Sequence, residues 1–517
     1  MKDVGDIMDN FLNRFGNLIK GAITGFDRII FKGILKPLMY EGGMKSFLYN
    51  NNVLNKNYKE FMIDKSKFIS AQANNYTYKQ IGCKTIYIPS CNTRKEELVH
   101  EKQKELGITK GLIGTWSCVE SCCTYKGTFD EIQGFPKLSK HFSRCKYIYF
   151  YFDHPDYGFM SVRIQTWSPY NIQIALNGRE WLRRTLEKNN ISHKREKNKF
   201  LYIENYDIAQ QFLNEQLNTD WVSLFDSFVP IVFPNMKDFL GDMSYYWTLD
   251  QSEWARDYIF DSPDSLKPII QDLLHFSFVS DSVQNIFKYM NRTSDKSDFS
   301  SRINKFDNGY CFKTYLNKNS AKFYSYIYGL RFEFTINNPE VFKVYRFKSN
   351  SSDNNKYNLP LVKGVSFTSL RAQVSENHLN RFINHVSSAH ERKPVDDIFS
   401  TVSNYIIKNG KRYRGLDILG KDKSLLKAVS DISFNVDYIS NKQIQKSLAN
   451  SDWAKGMKGK KLSSRITRQL RILREHGIIK KVSNRNKYFL TDKGRKLTSS
   501  LNILLGTSSD DLLKLAA

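Results

Sequence analysis

The stretch from Leu462 to Leu497, LSSRITRQLRILREHGIIKKVSNRNKYFLTDKGRKL, constrains the fold more than any other part of this 517-residue chain. Ile466, Leu470 and Leu473 recur at spacings of four and three, which places them on one side of a helix. Arg465, Arg468, Arg471 and Arg474 recur at every third position and make a slowly drifting cationic stripe away from that side. Ser463 or Ser464 suits the helix start, where a hydroxyl accepts from free backbone N–H groups. Gly477 suits the left-handed conformation that ends a helix. Ile478–Val482 and Lys487–Leu490 are β-prone and are joined by Ser483-Asn484-Arg485-Asn486, in which Asn tolerates the positive φ of a tight hairpin. Thr491-Asp492-Lys493-Gly494-Arg495 then starts another short helix. Upstream, Ser440 precedes a helical run, Asn441–Leu448. The predicted order is helix, loop, helix, basic hairpin, short helix.

The charge lies in the same place. From Lys411 to Ser500 there are 23 basic and 7 acidic side chains, which is +16 of the chain's +26. Charge concentrated in this way is the electrostatic footprint of a polyanion partner. No apolar run approaches the ~20 residues a spanning helix needs, and the N-terminal MKDVGDIMDNFLNRFGNLIKG is acidic and amphipathic, unlike a signal peptide. Seven scattered cysteines favour a reducing cytoplasm over a disulfide framework. Cys118, Cys122 and Cys123 lack a second pair at zinc-site spacing and read as strand-core residues. A cytoplasmic protein with no membrane partner is expected.

The segment RQLRILREHGIIKKV…KYFLTDKGRKL resembles the winged-helix modules of MarR- and ArsR-type bacterial regulators. There a leucine-patterned recognition helix runs into G-I-I and a wing that ends L-T-D-K-G. The resemblance implies a C-terminal winged helix-turn-helix. Arg465, Arg468, Arg471 and Arg474 would face a major groove, and Lys480, Lys481, Arg485 and Lys487 would neutralise phosphates. DNA is favoured over RNA. Further blocks, GFDRIIFKG, CNTRKEEL, SCVESC, QTWSPYNIQIALNGREWL and YYWTLDQSEWARD, resemble in their order a set of uncharacterised bacterial proteins. That likeness implies a mobile-element association and assigns no activity.

The remainder reads as an α+β or mixed α/β body. Expected segments are 1–135 (α/β), 136–350 (a β-rich core), 351–408 (linker and helical) and 409–505 (the nucleic-acid-binding domain). Asp3–Ile19 reads as a helix and Ala22–Phe31 as a strand. Lys84–Ile88, Arg94–Glu105 and Gly111–Glu120 form a β-α-β pattern that predicts a parallel pair. Tyr147–Phe152, Phe159–Trp167 and Tyr170–Leu176 read as strands, and Trp221–Tyr289 as mostly helical. Tyr310–Tyr345 returns to β, Phe347–Asn358 reads as a loop, and Ser375–Ile407 reads as helical.

Chemistry is expected where carboxylates stand in apolar strands: Asp27, Glu120, Asp153 and Glu333. A buried carboxylate is costly unless it is paired or bound to a metal. Asp27, Asp153 and Glu333 are therefore the candidate catalytic residues. They would hold Mg²⁺ for phosphodiester cleavage or strand transfer, in the D-D-E order of RNase H-like transposases. The competing assignment pairs Asp27 with Arg28 and Glu333 with Arg331, and leaves Asp153 to cap the turn after its strand. The segment Phe312–Pro339 is similar to rolling-circle replication initiators. That likeness implies a tyrosine nucleophile, for which Tyr245 and Tyr246 are candidates, and a metal held by paired histidines; none of the nine histidines forms a His-x-His pair. Arg163–Glu180, with Trp167, Tyr170 and several amides on one predicted sheet, suits stacking on unpaired bases. Three functions stay open: a nucleic-acid-binding protein, a metal-dependent nuclease, transposase or replication initiator targeted by the winged helix, and a ligand-responsive transcriptional regulator.

Overall fold

The computed structural model describes residues 10–131, 134–280, 299–306, 309–348, 355–387, 395–431, 438–482 and 485–507. They form a mixed α/β protein with a large, mostly antiparallel sheet.

The chain enters through α1 (Asn10–Phe15) and one 3-10 turn into β1 (Ile19–Ile34). The helix expected to reach Ile19 ends earlier, because Ile19 already belongs to the strand; its expected start at Asp3 lies outside the described residues. Next come α2 (Glu41–Asn50) and α3 (Tyr58–Ile81), the latter closed by Gly82 at φ 68°. β2 (Ile86–Ile88), α4 (Lys95–Leu106) and β3 (Gly111–Asp130) make the expected β-α-β unit, with Ile86 beside Trp116 in a parallel pair. β4 (Phe135–His154), β5 (Gly158–Gln165) and β6 (Ile172–Asn177) continue as an antiparallel meander. α5 (Gly178–Lys188) is capped by the Asn177 side chain, which accepts from the backbone of Arg179 and Glu180. A hairpin of β7 (His193–Glu196) and β8 (Lys199–Ile203) leads to α6 (Tyr206–Gln216) and three short helices, α7 (Trp221–Asp226), α8 (Val229–Val232) and α9 (Met236–Leu240).

The sequence expectation fails next. Tyr246–Phe260, read as part of a helical region, is a 15-residue strand, β9. Its middle carries Asp250, Glu253, Arg256 and Asp257, which breaks any alternation of apolar and polar residues. The strand tolerates them because partners distant in sequence meet them. Asp257 and Arg179, both fully buried, form an ion pair of 3.0 Å, and Arg179 also donates to the carbonyl of Ala255 at 2.8 Å. Such a pair is costly to bury and costlier still to break.

After α10 (Pro263–Ser280), two hairpins run through β10 (Phe299–Phe306), β11 (Gly309–Leu316), β12 (Asn319–Tyr326) and β13 (Gly329–Ile336). β14 (Lys343–Phe347) and β15 (Lys356–Pro360) pair where a loop was expected; residues 349–354 of that loop lie outside the described residues. Then come α11 (Thr368–Val386), α12 (Val395–Ser403) and a two-stranded hairpin, β16 (Ile406–Lys408) and β17 (Lys411–Tyr413). Ile406 and Ile407 are thus in a strand and do not extend a helix. The last elements are α13 (Lys423–Val429), β18 (Ile439–Ser440), α14 (Asn441–Leu448), α15 (Gly459–Glu475), β19 (Ile479–Lys481), β20 (Lys487–Leu490) and α16 (Asp492–Gly506).

The contacts divide the chain into two units, each discontinuous in sequence, unlike the contiguous segments expected. One comprises Ile23–Asp257 and Thr335–Val374. Its strands follow the order β9-β1-β6-β5-β4-β3-β2. Arg371 of α11 is buried in it and donates to Ser252 Oγ and to the carbonyls of Leu249 and Ile336. The other comprises Met1–Ala22, Tyr258–Phe334 and Ser375–Ala517. In it β10-β11-β12-β13 are neighbours, and Phe382 of α11 packs on the rings of Phe312, Phe323 and Phe332. Among the described residues, no helix is long and apolar enough to cross a membrane.

Candidate nucleic-acid interface

Between Val402 and Leu501 the apolar side chains close a core of their own. α15 contributes Leu462, Ile466, Leu470 and Leu473, all buried. Each such side chain stabilises by roughly 1.5–3 kcal/mol relative to its exposed state. β18, β20 and β19 form a three-stranded sheet in that order, with Ile439 beside Tyr488 and Ile479 beside Leu490. The local signals explain the helix ends. Ser440 and Gln443 form a reciprocal capping box at the start of α14, Gly477 takes φ 73° after α15, and Thr491 accepts from the backbone of Gly494 to start α16.

One cap expectation is corrected. α15 begins at Gly459, so Ser463 and Ser464 lie inside it. Ser463 instead ties the two helices together. Its hydroxyl donates to Asn441 Oδ1 at 3.1 Å, and Asn441 Nδ2 donates to the Ser463 carbonyl at 2.9 Å and to Thr467 Oγ1 at 2.8 Å. α16, expected to be short, runs for 15 residues.

The four arginines of α15 do not share one environment. At about 3.6 residues per turn, Arg468 and Arg471 fall roughly 150° from the middle of the buried stripe, while Arg465 and Arg474 flank it at about 90°. Arg468 is exposed and reaches back towards the Ser464 carbonyl at 3.4 Å. Arg471 is exposed and donates to Tyr413 Oη at 3.2 Å. Arg465 lies over the Trp453 ring at 4.3 Å. Arg474 is neutralised by its neighbour Glu475 at 2.7 Å, so its charge is not presented as the even spacing suggested.

On the hairpin, Lys480 pairs across the ladder with Phe489, and Lys481 with Tyr488. Adjacent strand residues leave opposite faces, so these two lysines do not serve one row of phosphates. Lys487 begins β20 beside Ser440, and its ammonium lies 5.5 Å from the Tyr438 ring centre. Arg485 is exposed; Ser483 and Asn484, the expected tip, lie outside the described residues. Among the described residues, Arg468, Arg471, Lys480, Lys481 and Lys487 have no carboxylate within 4.0 Å.

Of the expected carboxylates, Asp153 stands apart from Asp27. Asp153 stands beside Phe159, and Asn177 beside Arg28, which places Asp153 on β4 three strands from Asp27 on β1. Three strand spacings are roughly 14 Å, against metal–oxygen bonds of ~2.1 Å. Asp153 is engaged by Arg184 at 2.7 Å and Gln103 at 3.1 Å. It does not cap the following turn; His154 Nδ1 does, accepting from the backbone of Asp156 and Tyr157. Asp27 accepts from Asn198 Nδ2 at 2.6 Å, and its nearest acidic company in its own unit is Glu253, with carboxylate oxygens within 4.8 Å. Arg28 lies 4.0 Å from Glu253. Glu333, buried on β13 in the other unit, meets Lys322 Nζ of the adjacent strand at 2.6 Å.

The remaining candidates are equally committed. Glu120 accepts from Tyr149 Oη at 2.6 Å and faces Lys95 and Arg163 at 3.0 Å each. Burial pushes its pKa up, but the Tyr149 and Lys95 hydrogen bonds and the Arg163 charge bring it below the ordinary value. This closed network was missed because Lys95, Tyr149 and Arg163 lie on three separate elements. Tyr245 donates to the Tyr170 carbonyl at 2.7 Å, and burial pushes its hydroxyl far up, which removes it as a nucleophile. Tyr246 is exposed, with the Lys36 ammonium 3.5 Å from its ring centre. Gln165 and Tyr170 are buried and Trp167 is half-buried, so the Tyr170 ring is not available for stacking on bases. Cys122 is joined to Cys145 by a disulfide between β3 and β4, where free strand-core thiols were expected.

No protein family, curated protein or solved structure matches the chain.

Proposed function

We propose that residues 409–505 are a winged helix-turn-helix that binds duplex DNA, with α15 as the groove-entering helix and β19–β20 as the wing. One observation carries the reading. The side of α15 remote from its buried stripe presents Arg468 and Arg471 without acidic neighbours, next to a hairpin that adds Lys480, Lys481 and Lys487. The order α13, β18, α14, α15, β19, β20, α16, with β18-β20-β19 in the sheet, supports it. A groove-entering helix and its wing both meet the phosphate backbone, so phosphate contacts are assigned to Arg468 and Arg471 as well as to the lysines.

The test is duplex binding by Lys480→Glu/Lys481→Glu/Lys487→Glu in the full chain. Lys480 and Lys487 share one face, so losing about two phosphate contacts near 100 mM salt should weaken binding about 10²-fold. Binding equal to wild type at the same salt would overturn the proposal. An RNA duplex of the same sequence, with its deep and narrow major groove, should bind more weakly.

A further inference from the structure

We propose that the β16–β17 hairpin is a second phosphate-binding arm, in which Lys408 and Lys411 hold the backbone of duplex DNA beside the stretch that α15 enters. This rests on the reading above and extends it to a segment outside the helix-turn-helix and the wing.

The hairpin is tight and well specified. Asn409 and Gly410 at its tip have φ 50° and 70°, the left-handed pair that a two-residue turn with matching strand twist requires. Ile406 pairs with Tyr413, Ile407 with Arg412, and Lys408 with Lys411. Cross-strand partners share a face, and so do residues two apart. Lys408 and Lys411 therefore leave the hairpin on the same side as Tyr413. That is the side α15 touches, since Arg471 donates to Tyr413 Oη at 3.2 Å.

The base of the hairpin is fastened to the same helix. Arg414 grips Asp422 with two hydrogen bonds, of 2.6 and 2.7 Å, and donates to Gln469 at 3.0 Å. His476, just after α15, donates from Nε2 to the Arg414 carbonyl at 2.8 Å. An arm positioned in this way has less ordering entropy to lose on binding.

The charges contrast with those around them. Arg414, Arg474 and Arg495 each have an acidic partner within the module. Lys408, Lys411 and Arg412 have none among the described residues, and no acid occurs from Tyr405 to Arg414. Arg412, on the opposite face of the hairpin, has its guanidinium carbon 3.8 Å from the Tyr405 ring centre. Lys408 directly opposite Lys411 is a like-charge pair that disfavours the hairpin by itself. The uncompensated field is felt nearby. After burial, the Lys408 charge helps to lower the pKa of Lys493, and it is among the cations that lower that of His476. A polyanion relieves this repulsion.

The experiment compares K408Q/K411Q with K480Q/K481Q/K487Q and wild type, all as full chains, by fluorescence anisotropy on a duplex of about 30 bp across a KCl series. The hairpin variant should flatten the slope of log Kd against log salt by about 1.8, the value for two phosphates. K408R/K411R, which keeps the charges, should retain the wild-type slope and so separate charge from folding. A hairpin variant with the wild-type slope and affinity, beside a weakened wing variant, overturns this inference and leaves the winged-helix reading standing. The converse pattern supports the arm and overturns that reading. Wild-type protein that binds no duplex overturns both.

Discussion

Arg468→Ala/Arg471→Ala and Arg474→Ala remove charge from one helix, yet they should behave differently in salt. Arg468 and Arg471 lie on the side of α15 away from its core, with no carboxylate within 4.0 Å among the described residues. Arg474 is half-buried and donates to Glu475 at 2.7 Å. A phosphate contact releases about 0.9 counterion, so the double variant should flatten the salt slope by about 1.8. Between about 50 and 200 mM KCl, the double variant should then lose roughly twelvefold less affinity than wild type. Arg474→Ala should leave the slope where it was and change stability by no more than about 1 kcal/mol, the usual worth of a partly exposed pair. Both are read by anisotropy on one duplex over the same salt series. If Arg474→Ala flattens the slope as much as the double variant does, the local neutralisation argued from Glu475 is wrong. If the double variant leaves the slope untouched, α15 does not face phosphates.

Asp257→Ala should lower the stability of the unit built on β9 by about 3–5 kcal/mol in urea unfolding, because it strands the buried Arg179; Arg179→Met/Asp257→Leu should recover most of the loss, and equal loss in both variants would contradict the assignment. Burial depresses the His385 pKa from 6.5 to about 4. As pH falls below 6.5 the unfolded chain takes up the proton first, so this contribution is present above 6.5 and is lost on the way down to about 4, at roughly 1.4 kcal/mol per pH unit. His385→Phe should lose less urea stability than wild type over that window, and parallel curves for the two proteins would refute the argument.

The parts legible in sequence were those whose signal is local. The spacing of Ile466, Leu470 and Leu473 gave the buried stripe of α15, and Ser440, Gly477 and Thr491 marked real helix ends. The β-α-β unit from β2 to β3 came from alternating element types alone. What failed depended on partners far along the chain. β9 was hidden by charged residues that Arg179 and other distant groups neutralise. Asp153 read as a metal ligand or a turn cap because Arg184 and Gln103 approach it from separate helices. The disulfide could not be foreseen because register, not spacing, brings Cys122 and Cys145 together. The β16–β17 hairpin is a different case. Asn409-Gly410 is a strong local turn signal, and a presumed helix running through Ile407 concealed it.

The self-contained apolar cluster from Val402 to Leu501 makes the cationic groups of α15 and of both hairpins thermodynamic hostages of a single fold. If the segment melts as a unit, all of them are surrendered in one step, and a bound anion defends all of them together. Saturation at about a hundred times Kd would add roughly 2.7 kcal/mol to that defence. Heating in the presence of DNA would then delay the collapse of this tract selectively, and the size of the delay would serve as an affinity scale needing no label on either partner.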